Sequence, residues 1–276
     1  MESVTNLADV SVRRASPIRT QRSRLLVSGP ADGATNMAFD EALLRRARRT
    51  GETLYRVYAW SRATVSLGRN QSARGCYDLD LARARGIDFV RRPTGGRAIL
   101  HHREITYSVA GPVTRFGPMR ESYRTVNRLL LEALRAVGVN ASESERSGRP
   151  PAPSRAPCFV APAAGELVAN GRKLVGSAQV READAFLQHG SILVDDDQPL
   201  LADLVGNSEP FPPAATLRAL TGRVVTVTEF ADALTQALRA RDGLAPEPLV
   251  LEESLLDDVR SLISTRYADA DWTWHR

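Results

Sequence analysis

Lysine is almost absent from this sequence, because 36 of its 37 basic residues are arginine and Lys173 is the only lysine. Arginine is always charged and forked, whereas lysine is a compact ammonium that can lose its proton and approach a reacting atom closely. The bias toward arginine therefore marks position 173 as one that needs an amine. A lysine left there by chance is the alternative, and the residues around it favour a function.

Cysteine is also scarce, and long apolar runs are missing. Cys76 and Cys158 are too few for the disulfide framework of a secreted protein and lack zinc-finger spacing, so both are expected to be free thiols. No run approaches the ~20 apolar residues that span a bilayer. Residues 1–24 contain no apolar stretch typical of a signal peptide, which predicts a cytoplasmic protein with no membrane partner.

Positive charge is not concentrated in the body of the chain. The net charge is +5, and the first 24 residues alone carry five arginines against two acidic residues. Proteins that bind nucleic acid gather basic residues on one stripe, whereas these are interspersed with acids, so no nucleic-acid partner is expected. Residues 1–23 show no periodicity and are predicted to form a flexible tail.

Apolar periodicity predicts an α+β fold. The predicted strands are 54–60, 63–68, 87–92, 97–100, 104–110, 166–169, 172–175 and 191–194. The predicted helices are 37–50, capped by Asn36, and 120–137, 198–205, 213–220, 228–241 and 252–267. Strands dominate the first two thirds, which indicates a mixed, mostly antiparallel sheet flanked by helices. We expect a catalytic domain over 24–240 and a small helical appendage, 241–276, packed on it.

Paired glycines join two predicted strands in the segment 91–98 (RRPTGGRA). Gly95 and Gly96 permit positive φ and a close approach of a ligand to backbone N–H groups, and Thr94 adds a hydroxyl. The segment lacks the glycine spacing of a P-loop or a dinucleotide-binding motif. It predicts either a clamp for a carbonyl or anion, or simply a glycine hairpin.

Cys158 follows a stretch, 140–157, that is crowded with serine, arginine and proline and has a length typical of functional or disordered loops. A nearby ammonium raises the thiolate fraction of a cysteine, and Lys173 is a candidate neighbour if the chain bends at 161–164. Asn170 and Gly171 predict a two-residue hairpin turn just before Lys173. A small buried hydrophobe is the alternative for a lone cysteine.

The histidines do not form a metal-binding pattern. His101 and His102 adjoin Glu104, but the only other interior histidine is His189 and no cysteine stands at ligand spacing, so no metal is expected. On a strand His101 and His102 point to opposite faces, so at most one faces a site. Glu104 is expected to be a cap or an ion-pair partner rather than a general base.

Five segments together resemble the biotin/lipoate protein ligase and octanoyltransferase superfamily: 36–43 (NMAFDEAL), 91–101 (RRPTGGRAILH), 104–108 (EITYS), 171–179 (GRKLVGSAQ) and 187–192 (LQHGSI). The resemblance runs from about residue 24 to the end and implies the superfamily's mixed-sheet catalytic fold. By position in these motifs it implies substrate-binding roles for Arg92, Thr94, Gly95, Gly96, Arg97, Ala98, His101, Gly176, Ser177, Ala178, His189 and Gly190.

Within the superfamily the sequence most resembles the LipM-type octanoyltransferases. Cys158 and Phe159 stand where those enzymes carry an acyl-accepting cysteine and where ATP-dependent lipoate ligases commonly show Asn-Asp. The ending 266–272 (RYADADW) is similar to the helical tail of such transferases. The arginine- and proline-rich insert before Cys158 and the residues 163–165 (AAG) depart from the pattern.

This resemblance implies a reaction without ATP or any other cofactor. An octanoyl group would move from acyl carrier protein to Cys158 as a thioester, and then to a lysine of a lipoyl-carrier domain such as the glycine cleavage H protein. Lys173 would activate the thiol and orient the thioester, and Lys173 and His101 are both candidates for the base that deprotonates the acceptor amine. The protein is expected to be a monomer.

Three alternatives remain open at this point. An ATP-dependent lipoate-protein ligase would activate free lipoate, and an amidotransferase would move octanoyl between two lipoyl domains. A non-catalytic acyl-carrier binding module would bind the donor without acquiring its acyl group.

Overall fold

A computed structural model describes residues 22–145, 165–206 and 212–276. Its strands are β1 (Ser23–Val27), β2 (Thr53–Tyr58), β3 (Thr64–Leu67), β4 (Asp88–Arg91), β5 (Ile99–His101), β6 (Glu104–Pro112), β7 (Ser142–Glu143), β8 (Leu167–Ala169), β9 (Arg172–Glu182), β10 (Ala185–Leu193) and β11 (Glu247–Pro248). Its helices are α1 (Gly33–Thr50), α2 (Leu79–Ala84), α3 (Val113–Phe116), α4 (Met119–Ala136), α5 (Gln198–Leu204), α6 (Leu217–Thr221), α7 (Val227–Asp242), α8 (Glu253–Leu262) and α9 (Ala270–Trp274), with a π-helical turn, Ile263–Tyr267, before the last.

The larger sheet has the strand order β11-β1-β2-β6-β10-β9-β8-β7. Strand β1 runs parallel to β11 and β2, and the remaining pairs are antiparallel. A smaller sheet, β4-β3-β5, pairs β3 parallel to β4 and antiparallel to β5. The predicted α+β fold with a mixed, mostly antiparallel sheet is therefore confirmed.

The two faces of the larger sheet are buried by different helices. Alternate residues of β6, Ile105, Tyr107 and Val109, belong to a core that also contains residues of α4 and α7. The residues between them point to the side of α1, because side chains alternate along a strand. On that side β10 places His189 opposite Ser108 and Ser191 opposite Thr106. Polar side chains on a buried face mark the part of the sheet where a site is expected.

Helix α1 begins four residues earlier than expected from Asn36. Its N-cap is Asp32, whose Oδ1 accepts a hydrogen bond from the Thr35 backbone N–H at 2.7 Å. The Asn36 amide instead donates to the carbonyls of Ala31 and Ala59, at 3.1 Å each, and so ties the helix to the loop after β2. The predicted cap was wrong because Asp32 is an equally good capping residue and comes first along the chain.

The predicted hairpin turn is confirmed, since Asn170 and Gly171 both adopt positive φ, 51° and 72°, between β8 and β9. Strand β10 is longer than the predicted 191–194, because the polar residues Gln188 and His189 interrupt the apolar alternation on which the prediction relied. Helix α6 begins at Leu217 rather than at residue 213.

The C-terminal segment joins the rest of the fold through the sheet and through helix packing. Strand β11 pairs with β1, and residues of α8 share a core with α1. Trp272 donates its indole N–H to the Arg91 carbonyl at 2.9 Å, and the Trp274 ring lies 5.1 Å from that of Phe89. The division of the chain at residue 240 stays a prediction. Among the described residues, no helix has the length and apolar character needed to cross a bilayer.

Candidate active site

A cavity of about 460 Å³, including its solvent-open part, lies between helix α1, the strands β9 and β10, and the smaller sheet. The residues around it include eight of those expected to bind substrate: Arg92, Gly96, His101, Gly176, Ser177, Ala178, His189 and Gly190. The sequence motifs thus meet at one place although they span a hundred residues.

The other expected binding residues, Thr94, Gly95, Arg97 and Ala98, are not among the residues that line this cavity. Thr94 is buried and its Oγ1 lies 2.7 Å from His189 Nε2. The carbonyls of Gly95 and Arg97 accept hydrogen bonds from Arg92 Nη2 at 2.7 and 2.8 Å. Ala98 packs in the apolar core of the smaller sheet.

Arg92 and two glycines determine the shape of the loop between β4 and β5. Arg92 is 5% exposed and also donates to the Ser66 carbonyl at 2.8 Å. A Cβ added to Gly68 would lie 2.0 Å from the Gly96 carbonyl oxygen, so the two backbones touch there. Gly96 itself has φ +98°, which other residues rarely adopt. The carbonyls of Gly95 and Arg97 are thus occupied by the arginine at the start of the loop, and the clamp for a carbonyl or anion stays a prediction.

Lys173 lies near the start of β9 and is 2% exposed. Its Nζ is 2.7 Å from Glu166 Oε1, an ion pair within the described part of the chain. Gly176, three residues along the same strand and about 10 Å away, contacts the cavity. Cys158 lies outside the described residues, so its distance from Lys173 stays untested.

The first of two histidine–carboxylate pairs joins α1 to β10. Asp40 is fully buried, and its Oδ2 is 2.8 Å from His189 Nδ1 and accepts a hydrogen bond from the Tyr58 hydroxyl at 2.8 Å. Its Oδ1 accepts one from Arg56 Nη1 at 3.1 Å. Burial raises the pKa of Asp40, but the His189 hydrogen bond and the Arg56 charge outweigh it, so the pKa is lowered. Asp40 is therefore a carboxylate.

His189 is held as a neutral imidazole. Burial lowers its pKa below the ordinary value, and the bond to Asp40 opposes this only in part. With the proton on Nδ1 directed at Asp40, Nε2 accepts the Thr94 hydroxyl. The chain Asp40–His189–Thr94 therefore connects helix α1 to the glycine loop.

The second pair connects β5 to β6. His101 Nδ1 is 2.8 Å from Glu104 Oε1, and His101 Nε2 is 2.7 Å from Ser66 Oγ. The Trp60 ring stacks on the imidazole, with centroids 4.0 Å apart and an angle of 12° between planes. His102 is half exposed, lies 3.4 Å from Asp197 and does not line the cavity, so only His101 of the two neighbouring histidines does.

The sequence reasoning missed several members of this site, among them Asp40, Arg56 and Ser66. One signal was available for Asp40, since it is a charged residue inside the apolar face formed by Phe39, Leu43 and Leu44. Within residues 22–145, 165–206 and 212–276, no group of three or more His, Cys, Asp or Glu side chains is arranged to hold a metal ion.

Comparison with known proteins places these features in one family. Residues 32–239 match the family described as the lipoyl protein ligase A/B catalytic domain. The chain is 37% identical to octanoyltransferase LipM of Kyrpidia tusciae, over 93% of this chain and all of the relative. It is 35% identical to octanoyltransferase LipM of Bacillus subtilis, over 92% of this chain and 98% of the relative.

Solved structures show the same fold. The bi-partite lipoate protein ligase of Thermoplasma acidophilum superposes with a TM-score of 0.74 at 22% identity, over 92% of this chain and 96% of that one. Lipoate-protein ligase A bound with ATP superposes with a TM-score of 0.71 at 23% identity, over 92% and 98%. The fold is thus that of a lipoate-ligase catalytic domain. The chain belongs to the lipoyl protein ligase A/B catalytic domain family, which confirms the resemblance seen in its motifs.

Proposed function

We propose that this chain is an octanoyltransferase of protein lipoylation, which moves an octanoyl group from acyl carrier protein to a lysine of a lipoyl-carrier domain such as the glycine cleavage H protein. The observation that carries the proposal is the near-complete coverage of relatives named octanoyltransferase LipM, at 35–38% identity for three of them. The chain is accordingly an acyltransferase. A monomer acting in the cytoplasm is part of the proposal.

The cavity suits an acyl chain. Gly176, Ala178 and Gly190 leave its β9–β10 side without bulky side chains, and Met37 and Ile99 add apolar surface. Burying an octanoyl chain is worth about 0.8 kcal/mol per CH₂, or roughly 6 kcal/mol before ordering costs. This is modest affinity, so contacts with the donor and acceptor proteins would supply the rest.

The proposed chemistry has two half-reactions. Cys158 attacks the donor thioester carbonyl, the carrier protein leaves as a thiol, and a Cys158 octanoyl thioester forms. The acceptor lysine then attacks that thioester, an amide forms, and the Cys158 thiol is released. Exchange of one thioester for another is nearly balanced in free energy and amide formation is downhill, so ATP is not consumed.

Lys173, the only lysine of the chain, is the proposed cationic partner of the nucleophile. Its Nζ lies 2.7 Å from Glu166 Oε1, and as an ammonium it can stabilise a thiolate and polarise a thioester carbonyl. Backbone N–H groups near Gly95, Gly96 or Ser177 are candidates to stabilise the oxyanion.

Intact-protein mass spectrometry tests the proposal. Octanoyl-acyl carrier protein is mixed, without ATP, with wild type, Cys158→Ala and Lys173→Arg, and Cys76→Ala is the matched control. We expect one octanoyl group on wild type and on Cys76→Ala, none on Cys158→Ala and slower acylation of Lys173→Arg.

An unmodified wild type would contradict this donor and route. ATP–pyrophosphate exchange with lipoate would then identify a ligase, and octanoyl-H protein as donor would identify an amidotransferase. Binding of the donor without acyl transfer would identify a binding module.

A further inference from the structure

The two histidine–carboxylate pairs beside the cavity differ in their charge balance. Asp40 has a cation, Arg56, at 3.1 Å, and both of its oxygens accept hydrogen bonds. This pair is electrically complete while His189 is neutral, in agreement with the lowered pKa of His189. His189 therefore stays neutral, and its role is to hold Thr94 in place through a hydrogen bond.

Glu104 lacks such a cation. It is 5% exposed, and His101 is its only ion-pair partner among the described residues. Its Oε1 accepts hydrogen bonds from Ser191 and Thr106, at 2.7 and 2.6 Å, whereas its Oε2 is buried without a donor in the described part of the chain. A protonated His101 would give this buried carboxylate the counter-charge that it lacks.

The hydrogen-bond directions lead from the cavity to His101. Arg92 Nη1 donates to Ser66 Oγ at 3.2 Å, and Ser66 Oγ lies 2.7 Å from His101 Nε2. In the tautomer that carries its proton on Nδ1, His101 accepts the Ser66 hydroxyl proton at Nε2. The His101 Nδ1 proton is then directed at Glu104. Ser66 and His101 both line the cavity, and Ser66 has no surface exposed to bulk solvent, so only a group that enters the cavity could reach the second lone pair of its Oγ.

We propose that Ser66, His101 and Glu104 form a proton relay that deprotonates the acceptor lysine in the second half-reaction. This inference rests on the proposed function. The lysine ammonium gives one proton to Ser66 Oγ as Ser66 passes its own proton to His101 Nε2. The resulting imidazolium is paired with the Glu104 carboxylate. The neutral amine then attacks the octanoyl thioester, and its second proton goes to the departing cysteine sulfur.

Few charged side chains of the described residues lie near His101. Glu104 on β6 contacts its Nδ1, and the Arg92 guanidinium, after β4, contacts the Ser66 hydroxyl beside its Nε2. His189 on β10 is neutral, and Trp60 covers one face of the ring. Lys173, by contrast, is already paired with Glu166, which suits a fixed positive charge better than a base.

Single-turnover kinetics separates this relay from the rest of the reaction. Octanoyl-enzyme is prepared from wild type, His101→Gln and Glu104→Gln, acceptor protein is added, and amide formation is followed between pH 7 and pH 10. Because the enzyme is loaded before the acceptor is added, only the second half-reaction is measured, and we expect a loss of at least about 100-fold in transfer at pH 7. The loss should shrink toward pH 10, because lysine, with a pKa of about 10.4, then arrives increasingly as the neutral amine.

His102→Gln is the matched control, since it changes the neighbouring half-exposed histidine, and it should transfer at the wild-type rate. Transfer by His101→Gln at the wild-type rate, or a loss that stays constant with pH, overturns the relay. If either buried variant does not fold, Ser66→Ala should show a smaller loss with the same pH dependence, and a flat profile there rejects the proposal. A wild type that never loads octanoyl instead rejects the proposed function.

Discussion

Asp40 and His189 are 149 residues apart in the sequence and are joined by a 2.8 Å contact between Oδ2 and Nδ1. The bond connects the centre of helix α1 to the middle of the larger sheet, beside the cavity. Because His189 in turn holds Thr94, the position of the glycine loop depends on a helix that is remote in sequence. Four predictions follow from this and from related contacts.

Replacing Asp40 by Asn should destabilise the fold by about 3–5 kcal/mol, because the buried Arg56 guanidinium loses its counter-charge. Urea unfolding measures this free energy. Asp80→Asn, which removes an exposed ion pair with Arg83, is the control and should change stability little. A loss at position 40 as small as that of the control would show that Arg56 finds another partner.

Stability should decline as the pH falls below about 6.5, in part because of His189. Its folded-state pKa is below the unfolded value of about 6.5, so the unfolded chain takes up the proton first. The stabilisation that neutral His189 provides is complete above pH 6.5 and is lost as the pH falls toward the folded-state pKa. The unfolding free energy then changes by at most about 1.4 kcal/mol per pH unit. The difference in unfolding free energy between wild type and His189→Gln, measured from pH 8 to pH 5, should be smaller at the acid end. Identical slopes for the two proteins would contradict the assignment.

Gly190→Ala should impair both folding and acyl transfer. The new Cβ would lie 2.5 Å from the Gly176 carbonyl oxygen and 2.9 Å from Ser177 Oγ, so β9 and the cavity wall must shift. We expect a loss of about 1–3 kcal/mol in stability and a lower kcat/KM for octanoyl transfer. The control is Gly29→Ala, where nothing lies within 4 Å of the new Cβ. Unchanged kinetics at position 190 would mean that this wall does not contact the acyl group.

Trp272→Ala should weaken the attachment of the C-terminal segment. The indole donates to the Arg91 carbonyl, packs at right angles to Tyr267 and lies under the Arg266 guanidinium at 4.8 Å. A half-buried tryptophan with these contacts is expected to contribute about 2–3 kcal/mol, which thermal and urea unfolding would measure. Trp272→Phe keeps most of the packing and should lose less, whereas equal losses would assign the effect to the hydrogen bond.

The fold could be predicted where apolar spacing alone decides the structure. Helix α4 begins and ends within one residue of the prediction, because its buried residues recur at helical spacing. The first half of β10 could not be predicted, because Gln188 and His189 are polar for reasons of the site rather than of the strand. The start of helix α1 could not be predicted either, because Asp32 and Asn36 are both good capping residues. The Asn36 amide is bonded to the carbonyls of Ala31 and Ala59 instead, which only the structure shows.

The sequence motifs predicted which segments form the site. They did not predict the hydrogen bonds that join those segments. The glycine loop, His101 and His189 could be found from the sequence, and they do meet at one cavity. The contacts of Asp40 with His189 and of Ser66 with His101 join elements that no local pattern relates. Cys158 stays a prediction, because its place is outside the described residues.

The scarcity of lysine has a chemical consequence for an enzyme that carries an activated acyl group. A thioester that reacts with lysine amines would also acylate the exposed lysines of its own protein. Here the single lysine side chain, Lys173, is 2% exposed and engaged by Glu166. The arginines that replace lysine elsewhere keep the positive charge but are far poorer nucleophiles, because their guanidinium groups stay protonated. In the proposed reaction, this scarcity of lysine amines would limit self-modification and keep the acyl group for an amine that another protein supplies.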